Sequence, residues 1–350
     1  MSTGVKIALL FLLLSLPGCS FWDYLQPPSR DPVTPQGELS EARELVYSFL
    51  HARVAGASMD DLRAYLTSEA WNDYQDEELT LQSTGNPGFV GYRLHEESKL
   101  TGGNFGFTVV MQKVIQQPLQ TENAVEDLVV SFTEEEYRLS SARLLSKTRV
   151  RAEDGTLQWM ELKNGEDGEP INLITLEEIP AEITGNSARS EPVGKEGYST
   201  LILSPMERGT AFGTRGENGL LALLDWDDRN PAGEPEFIPV DLLSGETAGL
   251  MVFSPDARYL AVETLAGDER RRVLVYETEE VNDGTLLDLK LDRDFPGEIY
   301  NVVLKRWEPE GEKILIRVNP RWEGNGADPE KLGIWSVEIL KGQKEKLLGR

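Results

Sequence analysis

Cysteine occurs once in these 350 residues, as Cys19, and histidine only twice, as His51 and His95. A lone cysteine excludes an internal disulfide framework, so stability has to come from buried apolar cores. The two histidines have neither a cysteine nor another histidine near them in sequence, which leaves no zinc-type motif. They read as satisfied surface or half-buried side chains rather than as ligands or bases. Gly-rich phosphate loops are missing too, and Ser199 lacks the second glycine of a nucleophile elbow. Positive charge is scarce: 35 Lys and Arg face 60 Asp and Glu, a formal net charge of −25. With no basic stripe to neutralise phosphates, nucleic-acid binding is disfavoured. Such acidity suits solubility outside the cell, and it would repel anionic lipid headgroups. After the first twenty residues no apolar run approaches the length of a membrane span.

The chain opens with Lys6 and an apolar or small run from Ile7 to Leu16, the n-region and h-region of a secretory signal. Leu16-Pro17-Gly18-Cys19 then resembles a bacterial lipobox. That resemblance implies cleavage before Cys19 and lipid on its thiol, with residues 1–18 as signal peptide and the protein anchored outside the membrane. Pro17 is a less usual occupant of its position, and an ordinary secretory signal with an incidental Cys19 is the alternative. Residues 19–38 carry Pro27, Pro28, Pro32 and Pro35, so they read as an extended tether. Whether the anchor lies in an inner or an outer membrane is left open.

Folding signals begin at Ser40. Ala42, Leu45, Val46, Phe49, Leu50 and Val54 trace one face of a helix, and Ser58 with Asp61 suggests the capped start of a second. A third short helix is expected over Glu69–Tyr74. Strands are expected over Phe89–Leu94, Phe105–Ile115, Glu126–Phe132 and Tyr137–Leu145, with a loop over 118–124. Helices followed by a curved antiparallel sheet predict an α+β unit over 39–150. The helix around Val46–Leu50, the Tyr65-Leu66-Thr67 step, and Asp127–Val130 followed by Tyr137-Arg138-Leu139 resemble the NTF2-like domains of exported bacterial lipoproteins. Some relatives use a cone-shaped pocket for ligands or hydrolysis. Burial of Tyr65, Trp71, Phe105 and Phe107 inside that cone would count against such a use. Residues 151–196 read as a hairpin (Leu157–Leu162 with Ile171–Ile174) and an acidic linker, assignable to neither neighbour.

From 197 to 350 the sequence repeats three times. Leu203-Ser204-Pro205, Phe253-Ser254-Pro255-Asp256 and Trp307-Glu308-Pro309-Glu310-Gly311 each precede an apolar strand, with the prolines 50 and then 54 residues apart. Further strands follow in each unit, giving four strands per repeat, the pattern of a β-propeller blade. These turns resemble the TolB-type (WD40-like) repeat, with Ala257 standing where its turn glycine is usual. The expected fold is therefore an α+β NTF2-like domain followed by an all-β, propeller-like region of about three four-stranded units. Three are fewer than a closed ring needs.

Candidate chemistry is sparse. Asp225-Trp226-Asp227-Asp228-Arg229-Asn230 offers oxygen donors for calcium, but Arg229 interrupts the alternation and a solvated loop is the plainer reading. Hence no metal, no cofactor and no catalytic residue is assigned. Arg270-Arg271-Arg272 is the one basic spot of the repeat region and a possible contact for an acidic partner, or else a solvated hairpin tip. Trp322, in the polar loop Pro320–Asn325, is a possible contact for a protein or a glycan, while Trp226, Trp307 and Trp335 read as core. From this the expectation is a tethered lipoprotein that is not an enzyme: a non-catalytic binding or scaffold module for a protein or cell-envelope component. The alternative is small-ligand binding or hydrolysis in the first domain's pocket.

Overall fold

The computed structural model describes residues 36–82, 87–133, 136–163, 166–184, 190–206, 209–226, 233, 235–278 and 284–347. Cys19, most of the tether, and residues 227–230 of the candidate calcium loop lie outside them. The chain divides into two units, 1–41 and 42–350. Helix α1 (Gln36–Val54) crosses that division.

Within the second unit, α1 buries Ala42, Val46, Phe49, Leu50 and Arg53. The 3.6-residue period places Arg53 on this face and leaves Val54 half-buried, although hydrophobicity alone favours the valine. Helix α2 (Met59–Arg63) starts at Ser58 with a reciprocal capping box to Asp61, as the spacing predicts. The Tyr65–Thr67 step is pinned to the sheet by backbone hydrogen bonds on both sides of Leu139. Helix α3 runs from Ser68 to Gln82, longer than expected.

A meander follows: β1 (Pro87–Lys99), β2 (Phe105–Gln116), β3 (Leu119–Thr133), β4 (Glu136–Glu153) and β5 (Thr156–Lys163). Two shorter strands, β6 (Glu166–Asp167) and β7 (Ile171–Thr175), both pair with β5. The expected loop over 118–124 is instead the first half of β3. Its polar residues Thr121, Glu122 and Asn123 look loop-like in sequence but are buried with partners. Glu122 binds Lys147 and Arg149, Asn123 donates to the Ser204 carbonyl, and Thr121 donates to the Lys113 carbonyl. The acidic linker contains a small hairpin, β8 (Glu182–Thr184) with β9 (Ser190–Pro192).

Three four-stranded antiparallel sheets complete the chain. The first is β10 (Gly197–Leu203), β11 (Gly209–Arg215), β12 (Asn218–Asp225) and β13 (Glu236–Ser244). The second is β14 (Glu246–Phe253), β15 (Tyr259–Ala266), β16 (Arg271–Glu277) and β17 (Thr285–Leu286). The third is β18 (Tyr300–Trp307), β19 (Lys313–Pro320), β20 (Gly333–Glu338) and β21 (Lys344–Leu347). Each is a sequential meander, so the repeats are propeller-like blades and the described chain is mostly β.

The long sheet packs against all three blades. Its strands β2, β3 and β4 touch β10, while β1 touches β14 and β18, so the first strand of every blade abuts it. Gln112 donates to the Leu203 carbonyl at 2.6 Å and Val90 and Val114 join the core of the second and third blades. Gly91 leaves room at this seam: a Cβ there would lie 2.7 Å from the Gln112 amide oxygen of the neighbouring strand and 3.3 Å from Val252 Cγ1 of the second blade. The 157–174 hairpin serves both sides, extending the long sheet while Leu157, Leu173 and Ile174 pack with Leu201, Phe212 and Leu220 of the first blade. Blades two and three are joined by the Trp307 indole, which donates to the Val252 carbonyl and stacks on Tyr259.

Candidate functional site

The connector between the second and third blades runs from β17 to β18 with little regular structure. Leu289, Leu291 and Phe295 are buried and fix it to the blades. Lys290 sits between the first two with φ 55°, a left-handed turn that reverses the chain before the single helical turn α4 (Leu291–Asp294). Opposite lies the β20–β21 turn, where Ile339 is buried, Leu340 is 77 % exposed and Gly342 has φ 61°.

Between connector and turn is a cleft of about 660 Å³. Lys290, Arg293, Lys341 and Lys344 line it with Asp288 and Asp294, in a chain whose net charge is −25, and Lys341 is ion-paired with Glu338 beside the turn. Asp294 is held by Lys344 at 2.7 Å and by Arg293 at 3.3 Å. Burial pushes the Asp294 carboxyl up, but these two cations together hold it below its ordinary value. Asp288 is spent on a local turn, accepting from the Lys290 backbone N–H. The Lys290 ammonium has no carboxylate partner among the described residues. Leu287, Leu289 and Ile339 give the cleft an apolar floor. A floor of this kind with convergent cations suits a small anion carrying a modest carbon skeleton. A second cavity of about 530 Å³ lies along the same connector and is lined by Arg272 as well.

The residues singled out by sequence fall elsewhere. Arg270, Arg271 and Arg272 are not a free basic tip: Arg270 and Arg272 bind the buried Glu246, and Arg271 binds Glu263 at 2.9 Å. Burial pushes the Glu263 carboxyl up, opposed by the Leu304 N–H and by Arg271. Trp322 is 53 % exposed, and the Arg321 guanidinium sits 4.9 Å from its ring centroid. Arg321 is tied in turn to the Asp268 carboxylate at 2.7 Å, so Trp322 stands close to the arginine hairpin. Trp226 and Trp307 are buried, and Trp335 is half-buried. Trp71, Phe105 and Phe107 are buried, and Tyr65 is half-buried against Phe49. His95 is exposed, whereas His51 is half-buried with its Nε2 unpartnered, contrary to the satisfied histidine expected. No cluster of metal-ligating side chains occurs among the described residues. The cleft leaves little trace in the sequence because its cations are spread over residues 290–344. Its one local signal is the lysine-rich run Lys341–Lys346 near the C-terminus.

No family model matches this chain, and no curated protein matches it. Solved structures do. A protein named provisionally as a 6-phosphogluconolactonase from Bacteroides uniformis is similar at 13% identity and TM-score 0.34, over 74% of this chain and 80% of its own. A second so named, from Bacteroides fragilis, is similar at 10% identity and TM-score 0.26, over 74% and 94%. The periplasmic gluconolactonase of Pseudomonas aeruginosa is similar at 10% identity and TM-score 0.32, over 75% and 84%. The expectation that the chain is no enzyme, and serves only as a binding or scaffold module, does not stand beside these proteins named as lactonases. It rested on an inventory of histidine, cysteine and nucleophile motifs, and an inventory of that kind does not exhaust catalytic chemistry. Likeness at these TM-scores carries no substrate to this chain. Its propeller-like character rests on its own three blades.

Proposed function

We propose that this chain is an extracytoplasmic protein, tethered by lipid on Cys19, that captures small anionic molecules in the cleft between the 287–294 connector and the 339–344 turn. One observation carries the ligand class: four cations line a cleft of about 660 Å³ on a chain of net charge −25. The leader ending at Cys19 and the Pro-rich stretch behind it support export and tethering. Three helices followed by a long antiparallel meander support an NTF2-like unit over 39–150, and the Pro turns of the blades support a TolB-type repeat over 197–350. A ligand with a carboxylate or phosphate would meet Lys290 and Arg293, while its hydroxyls would meet the carboxylates of Asp288 and Asp294.

Calorimetric titration with gluconate, 6-phosphogluconate and citrate tests the cleft. Saturable binding of at least one is expected, weakened about tenfold or more in Lys290→Ala/Arg293→Ala through the loss of charge-assisted bonds. If all three fail to bind at millimolar concentration, or the double variant binds as tightly, the cleft is not the site. Hydrolysis of gluconolactone, followed on the same two preparations, separates capture from turnover. Metabolic labelling with a fatty acid, lost in Cys19→Ser, tests the tether.

A further inference from the structure

Three buried polar atoms lie where α1, β1 and β18 come together, and none of them has a hydrogen-bond partner: Nε2 of His51, the hydroxyl of Tyr92 and Nε of Arg306. Their side chains are neighbours. The His51 and Tyr92 rings stand edge to face with centroids 5.5 Å apart, and the Arg306 charge acts on both. Tyr92 is only 6 % exposed. Native proteins rarely leave one such group unsatisfied, and three together point to a guest.

The protonation states narrow what that guest is. Burial, helped by the Arg306 charge, pushes His51 down to about 4, so its imidazole is neutral at physiological pH and bears one N–H. Burial pushes the Tyr92 phenol up, so it keeps its proton. Arg306 brings to the junction a guanidinium with its fork of N–H donors. No carboxylate among the described residues pairs with it. Two carboxylates act on Tyr47 beside Tyr92: Glu97, which is bound by Arg43, and Glu310. Water would satisfy hydrogen bonds here but would supply no negative charge for the half-buried guanidinium.

We propose that this junction is a binding site for one small oxyanion group, a carboxylate or a phosphate, with Arg306 supplying the charge and Tyr92 and His51 supplying directed donors. It uses none of the residues of the blade-connector cleft, and it joins the helical segment and long sheet to the third blade.

The chain's two histidines make the test direct. Ring resonances of His51 are followed by NMR in the whole protein, with His95→Gln for assignment, during separate titrations with inorganic phosphate and sodium acetate at constant ionic strength. A saturable shift of His51, with His95 unmoved, is the expected result, and the salt that produces it identifies phosphate or carboxylate as the preferred source. Tyr92→Phe, which deletes one oxygen and keeps the ring, weakens the response about tenfold. Arg306→Gln abolishes it. Lys290→Ala/Arg293→Ala leaves it unchanged. The proposal is overturned if His51 does not move, if it drifts linearly to the highest concentration, or if Tyr92→Phe binds as tightly, since each outcome means ordered water only. It also falls if the Lys290/Arg293 variant removes the response, because the anion would then be in the cleft.

Discussion

The Arg53 guanidinium grips the Glu126 carboxylate in a bidentate pair, with hydrogen bonds of 2.6 and 2.9 Å and both side chains buried. The pair ties α1 to β3, and the same guanidinium lies 4.6 Å from the centroid of Phe89 at the start of β1. Removing one partner strands the other charge in a dry interior. Glu126→Ala should therefore cost about 3–5 kcal/mol in urea unfolding, whereas Arg53→Met/Glu126→Leu should recover most of that loss. A single variant within about 1 kcal/mol of wild type would show that water reaches the pair.

Ala257 takes up φ 60°, close to the 74° of Gly311 in the corresponding turn of the next blade. A side chain pays for that left-handed backbone and glycine does not. Ala257→Gly should raise stability by about 0.5–1 kcal/mol, read as a shift in the denaturation midpoint at constant slope. Gly311→Ala should lower it by a similar or larger amount.

Gly91 is predicted to tolerate nothing larger. Alanine there would press on Gln112, whose amide is held by the Leu203 carbonyl, and on Val252 of the second blade. Overpacking of this kind costs about 1–3 kcal/mol. Thermal unfolding of Gly91→Ala at the wild-type midpoint would expose the error if this seam is loose.

His51 makes stability depend on pH in a definite direction. Burial lowers its folded value from 6.5 to about 4, so the native state prefers the neutral ring. The contribution is complete above pH 6.5 and is lost as pH falls through that window towards 4. Urea unfolding of wild type and His51→Gln across this range should show the difference between them shifting in favour of the variant as pH falls.

The blades were the most legible part of the sequence, because Pro205, Pro255 and Pro309 punctuate short apolar strands at nearly equal spacing. The start of β3 was illegible for the opposite reason. Glu122 and Asn123 are buried polar residues whose partners Lys147, Arg149 and the Ser204 carbonyl lie 25, 27 and 81 positions away. No local pattern records such pairing. Arg53 was missed likewise, since its place on the helix face is periodic but its character is not. The cleft and the His51 junction each draw residues from separate elements, so neither leaves a motif in one stretch of chain. The arginine triplet was visible, but its engagement by Glu246 and Glu263 was not.

Since the first strand of every blade rests on the long sheet, the chain has a direction in time. The sheet and its helices are built from residues that leave the ribosome, and in the exported protein proposed above the translocation pore, before any blade residue does. Each blade thus emerges to find its docking surface already made. A blade freed of that surface would bare an inner strand with no neighbour, so a fragment beginning at residue 197 should emerge sticky, however regular its repeats.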